Sequence, residues 1–308
     1  QDGENYNKDL QAYRLTLEYR PLDNVFMRLN YDKTEDKSNA KGGYRLLPSL
    51  LTDAPVPDSV YDSYTSLPTW NKVETEGLGL TINWDINDNW TFKSITSQRE
   101  SYSKTNIDFD NTSLDIFDVP AIYDDEQFTQ EFQLNYQTDG FKMVSGAYYY
   151  TADSCGVFDA ILGVLGQSLG APGLTREVGG CSNGDSTALY AQGSYDIDDK
   201  WSVTAGLRYT KDEKDAVVRN GLIFANVYPE SGWIPGYVRP DGLTTPVVLD
   251  DSESWSKVTP KLGVEYQHSN DLMLFASYSQ GFKSGTFNPR ATVAEPAADP
   301  EDVNSFEV

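Results

Sequence analysis

Five short polar turns recur along the chain, and each joins two long runs in which apolar and polar residues alternate. The turns are Leu22-Asp23-Asn24, Asn87-Asp88-Asn89, Thr138-Asp139-Gly140, Asp198-Asp199-Lys200 and Ser269-Asn270-Asp271. Asn, Asp and Gly accept the backbone that a tight hairpin demands. Beside the first turn, Tyr13, Leu15, Leu17 and Tyr19 alternate with Arg14, Thr16, Glu18 and Arg20. Beside the fourth, Trp201, Val203, Ala205, Leu207 and Tyr209 alternate with Ser202, Thr204, Gly206, Arg208 and Thr210. A period of two puts one set on each face of a sheet. The same reading gives about ten strands, with the start of another at Asn304–Val308. Between one turn and the next the connection is long and irregular. Short turns on one side and long loops on the other predict an all-β, antiparallel, up-and-down barrel that crosses a membrane.

Composition is compatible with that reading. The chain has 308 residues, a formal net charge of −23 and a mean hydropathy of −0.52. It holds no apolar run long enough for a transmembrane helix, which needs about 18 residues or more. A transmembrane strand needs only about 9–11 residues, every second one apolar, so its hydropathy averages out. The acidic balance argues against nucleic acid, which calls for a basic stripe. His268 is the single histidine, so no multi-histidine metal site is expected. No nucleophile elbow, phosphate loop, zinc motif or catalytic carboxylate pair is present, so neither enzymatic activity nor a cofactor is expected.

A soluble sandwich also shows one apolar and one polar face. Three features favour the membrane. Many strands run to ten or more residues, where globular strands average about 5–6. Aromatics stand near the short turns (Tyr19, Trp84, Trp90, Tyr136, Phe141, Tyr195, Trp201, Tyr266), where an interfacial girdle falls. The long loops, about 36–72, 104–124, 152–185, 219–252 and 285–302, all lie on one side. They hold most of the prolines, including Pro48, Pro68, Pro172 and Pro246, which cannot donate to a ladder.

The segment Tyr278-Ser279-Gln280-Gly281-Phe282-Lys283-Ser284-Gly285-Thr286-Phe287-Asn288-Pro289 resembles a strand-and-loop signature of TonB-dependent outer-membrane receptors. Pro300-Glu301-Asp302-Val303-Asn304-Ser305-Phe306-Glu307-Val308 is similar to the next strand entry of that family. Tyr190–Tyr195 with Trp201–Thr210, and Phe128–Leu134, resemble two further hairpins. The resemblance implies a barrel of about 22 strands in the outer membrane of a Gram-negative bacterium, filled by an N-terminal plug. It implies uptake of a scarce bulky nutrient, a ferric siderophore or similar iron complex, with energy coupled by TonB through the plug. Residues 1–308 are therefore expected to be part of such a barrel, with the plug and the C-terminal strands absent. A passive oligosaccharide channel, or a soluble or adhesin β module, stands as the alternative.

Candidate site residues follow from chemistry and position. Cys155 and Cys181 are the only cysteines; they share one predicted loop in an oxidising compartment, which predicts a disulfide. Tyr228, Trp233 and Tyr237 put three aromatics in one loop, able to stack on a planar ligand or to pack the loops together. The apolar run Val157–Leu165 either packs on neighbouring loops or meets a ligand. Asp108, Asp110, Asp115, Asp118, Asp124 and Asp125 read as a solvated acidic region, since their spacing is not that of an EF-hand. Arg14, Arg28 and Arg208, with Glu18, Glu131 and Glu265, are expected to face the lumen.

Overall fold

In the computed structural model, which describes residues 5–49, 52–69, 71–224 and 245–308, the alternating runs form eleven strands. They are β1 (Leu10–Leu22), β2 (Val25–Asp36), β3 (Lys72–Asp85), β4 (Trp90–Asp108), β5 (Asp118–Gln137) and β6 (Phe141–Ile161). After a short helix, α1 (Gly163–Ser168), come β7 (Leu174–Asp196), β8 (Trp201–Phe224), β9 (Val247–Ser269), β10 (Leu272–Lys283) and β11 (Glu301–Glu307). All eleven make one sheet whose order in space is the order in sequence. Every neighbouring pair is antiparallel, and β1 and β11 are the sheet's two edges.

The turns close by a repeated device. Asn87 Oδ1 accepts the amides of Asn89 (3.0 Å) and Trp90 (3.1 Å). Asp198 Oδ1 accepts those of Lys200 (2.8 Å) and Trp201 (2.9 Å). A side-chain oxygen that takes amides two and three residues on holds the bend without a longer loop.

The strands on the long-loop side reach further than their pattern suggests. Residues 152–185 are not one loop: β6 runs to Ile161 and β7 starts at Leu174. Likewise β4 and β5 leave only residues 109–117 between them, and β8 extends to Phe224. These outer halves lose the alternation because burial there does not follow the faces of the sheet. Asp159, Ala160 and Ile161 are all buried, so the apolar run packs against its neighbours. The β5–β6 ladder lapses at Val119 and Pro120, where the proline brings no amide.

Two chemically different faces result. On one, Leu17, Leu29 and Leu80 lie side by side across β1, β2 and β3, and Leu189 faces Tyr209 across β7 and β8. Leu189 is 64 % and Leu207 56 % exposed, and nothing among the described residues covers this face. On the other face Arg28 pairs with Glu18 (2.8 Å) and Arg99 with Asp32 (2.9 Å). Alternation puts Tyr149 on the apolar face and Tyr148 and Tyr150 on the polar one. Near the short turns, Trp90 packs at a tilt against Tyr136 and Trp201 against Tyr266, each at 4.5 Å between ring centres. An uncovered apolar band edged by aromatics is the surface of a lipid-embedded strand array.

A sandwich would need a second sheet on the apolar face, and the described residues make only one. The buried apolar cluster is small, Ala216, Val218, Leu249, Phe287 and Ala291, and it lies outside the band. The soluble reading therefore fails. No described helix is long and apolar enough to cross a membrane; strands do the crossing.

Cys155 and Cys181 stand opposite each other in β6 and β7, with Cα atoms 4.1 Å apart, and are joined in a disulfide. The link staples two paired strands above the membrane rather than closing a free loop. Across its sequence separation of 26, chain entropy assigns it roughly 3 kcal/mol. The double variant Cys155→Ser, Cys181→Ser is expected to lose about that much unfolding free energy in urea, and an unchanged midpoint would refute the constraint.

Candidate ligand-binding vestibule

Above the membrane, on the polar face, the connection 284–300 folds back over β7 and β8. Phe287 and Ala291 seat it against Ala216, Val218 and Leu249. Lys214 Nζ donates to the Gly285 carbonyl at 2.8 Å. Asn220, 6 % exposed, donates to the carbonyls of Arg290 (3.1 Å) and Ala291 (2.9 Å). Its own Oδ1 accepts from Arg176 Nε at 2.9 Å. One amide thus ties two strands to the returning segment.

Asn220→Leu keeps the volume but removes all three bonds. Each buried polar group left unpaired costs about 1–3 kcal/mol, enough to detach a surface segment. The expected result is faster hydrogen exchange across 284–300 with an unchanged melting temperature for the barrel. Unchanged exchange would show that the apolar contacts suffice.

Between the returning segment and the sheet lies a cleft of about 530 Å³. Tyr123, Tyr150, Phe158 and Phe287 line it, together with Lys214 and Arg290. The Arg290 guanidinium lies over the Phe158 ring, 5.3 Å from its centre. Such stacking leaves the planar fork free to meet a carboxylate or another anionic oxygen. Burial lowers the pKa of Lys214, against the pull of Asp212. The floor is backbone at Gly156, Gly179, Gly180 and Gly184. Gly180 has φ +146°, and a Cβ there would meet the Val217 carbonyl oxygen at 1.8 Å, so no other residue fits.

A second, more polar cleft of about 460 Å³ adjoins at Tyr150, Ala152 and Ser154 and brings in Arg99. Together the two form a vestibule that combines aromatic faces with cations, sized for a drug-like or larger ligand.

The residues singled out in the sequence fall in different places. Tyr228, Trp233 and Tyr237 lie outside the described residues. Glu18 pairs with Arg28, while Tyr190 donates to Glu131 Oε1 at 2.5 Å. Arg208 sits 5.6 Å from the ring centres of both Tyr148 and Tyr190. Arg14 stands opposite Asp32, and Glu265 opposite Ser202. Lys214 and Arg290 give no signal in sequence. One lies in the charged run Lys211–Asp215 and the other in a loop, and only folding brings them to one cleft.

The sequence pattern of the family described as TonB dependent receptor-like, beta-barrel matches residues 12–308. No curated protein matches the chain. Among solved structures, the ferric yersiniabactin uptake receptor FyuA from Yersinia pestis superposes with a TM-score of 0.71 at 14 % identity, covering 96 % of this chain and 42 % of that one. The siderophore receptor PiuA from Acinetobacter baumannii gives 0.63 at 16 %, with 98 % and 47 % covered. BauA, the ferric preacinetobactin receptor from the same organism, gives 0.59 at 15 %, with 97 % and 44 % covered. At these identities the likeness is one of fold, and the chain spans less than half the length of each. The apolar band, the single meandering sheet and the family match agree: the chain belongs to the TonB-dependent receptor-like β-barrel family, whose members are receptors of the Gram-negative outer membrane and not enzymes.

Proposed function

We propose that the chain forms part of the wall and vestibule of an energy-coupled receptor that imports a ferric siderophore or similar iron complex. The vestibule carries the reading. An octahedral ferric complex presents flat organic arms to Tyr123, Tyr150, Phe158 and Phe287, and anionic oxygens to Lys214 and Arg290. The likeness in fold to a ferric yersiniabactin uptake receptor and a ferric preacinetobactin receptor supports the same class of cargo.

The polar face becomes the lumen wall in this reading, and the apolar face meets outer-membrane lipid. Further strands and a plug from the rest of a longer protein complete the barrel, and the plug meets TonB. The open edges at β1 and β11 support this, because unpaired strand edges are not tolerated in lipid. The wall makes and breaks no bonds: it captures the complex, and the coupled plug opens the path.

The test titrates the full-length protein in detergent with hydroxamate, catecholate and carboxylate ferric siderophores, following tryptophan fluorescence. One class is expected to saturate at or below micromolar concentration, and its uptake by cells should stop when the proton-motive force is collapsed. Uptake that survives collapse would identify a passive channel instead.

A further inference from the structure

On the other face of the sheet, above the apolar band, part of the connection between β2 and β3 is fastened to the tip of β4 and β5. Asp108 and Asp118 are register partners there, and alternation puts both, with Asn106, on the face that carries Trp90 and Phe92 lower down. Ser66 donates its amide to Asp108 Oδ2 (3.1 Å) and its hydroxyl to Asp118 Oδ2. Asn106 Nδ2 donates to the Pro68 carbonyl at 3.0 Å. One oxygen from each of Asp108, Asp110 and Asp118 lies within 4.8 Å of the others.

The acidic region expected from the sequence to be solvated is exposed at Asp124 but buried at Asp118. Asp118 is 0 % and Asn106 2 % exposed, because residues 65–69 lie over them. Two buried oxygens here have no hydrogen-bond partner, Asp118 Oδ1 and Asn106 Oδ1. Asn106 is no member of the acidic cluster, so its orphaned amide oxygen is a separate observation. Buried oxygens are rarely left unmatched, and a charged one least of all.

The surroundings are built for oxygen ligation. Backbone amides fix Asp108 Oδ1, which accepts from Asp110 (3.0 Å) and Asn111 (2.6 Å). They also fix Asp110, whose two oxygens accept from Thr112 (2.9 Å) and Phe117 (2.8 Å). A cavity of about 20 Å³, roughly the space of one water, borders Asn106 and Asp108 on the side of Lys41 and Gly42. None of the three carboxylates has a Lys or Arg partner among the described residues. A divalent cation would offset the charge that burial leaves uncompensated.

We propose that Asn106, Asp108, Asp110 and Asp118 form a calcium site that fastens segment 65–69 to the tip of β4 and β5. Calcium accepts carboxylate and amide oxygens at about 2.3–2.6 Å, so two ligands across the ion stand no more than about 5 Å apart, as the three carboxylate oxygens do. Magnesium demands a tighter octahedron and keeps several waters, for which this buried corner has no room. The site lies on the face away from the vestibule, so it orders an outer loop and does not touch the cargo.

The full-length protein in detergent, stripped with EDTA, is titrated with CaCl₂ alone by calorimetry and followed by hydrogen exchange. The expected result is one calcium per chain at sub-millimolar concentration, with exchange across 65–69 slowed at least tenfold. Asp118→Asn keeps the shape and should weaken binding at least tenfold. Asp110→Asn, which is not a register partner of the buried pair, should do the same and serves if the first variant does not fold. The proposal is overturned by no calcium heat up to about 10 mM, by magnesium acting equally well, or by both variants binding as the parent does.

Discussion

Leu207→Arg is expected to lower the stability of the full-length protein in lipid vesicles by about 2–4 kcal/mol. Leu207 lies six residues into β8 from Trp201, between Ala191 and Pro260 on its neighbours. At about 3.4 Å per residue and a tilt near 45°, that places it about 14 Å above the girdle, close to the middle of an apolar band about 25 Å tall. An arginine there must leave water with no partner on the lipid side. The matched control is Gln192→Arg on the polar face, where Gln192 stands opposite Gly206. A lumen-facing charge stays hydrated, and its cost should be near zero. Urea titration of both variants against the parent reads the difference directly. A larger cost for Gln192→Arg would mean that the two faces are assigned the wrong way round, and equal costs would mean that neither meets lipid.

Arg290→Glu is expected to weaken binding of an anionic iron complex by roughly 10- to 100-fold, the worth of one charge-assisted hydrogen bond at about 1.5–3 kcal/mol. The guanidinium is held over Phe158, so reversal removes a pre-aimed donor and adds repulsion without disturbing the carbonyl that Asn220 grips. Lys214→Met should weaken binding too, but it also frees the Gly285 carbonyl, so it alone should raise exchange across 284–300. Raising the salt should narrow the gap between Arg290→Glu and the parent, since a solvent-open cleft is screened. A ligand whose affinity is untouched by Arg290→Glu binds elsewhere.

These predictions rest on features that differ in how visible they are along the chain. The strands near the short turns are legible because each residue there has one of two fates, lipid or lumen, and the side chains alternate accordingly, as in Trp201–Tyr209. The turns are legible because Asn87 and Asp198 act on amides two and three residues away. The upper half of the hairpins is not. Val157–Ile161 sits where neighbouring segments cover the sheet unevenly, so a paired strand there has no period of two.

The sequence by itself settled the all-β meander, its sidedness, the aromatic girdle and the family, because all four depend on local periodicity or on contiguous motifs. The tertiary structure alone decided where segment 284–300 lies, that Lys214 and Arg290 share a cleft, and that Ser66 and Pro68 bury Asp118 and Asn106. Those contacts join residues far apart in the chain, such as Lys214 with Gly285 at a separation of 71. Closing such a loop is governed by the summed packing of many side chains, and no short pattern of residue types records it.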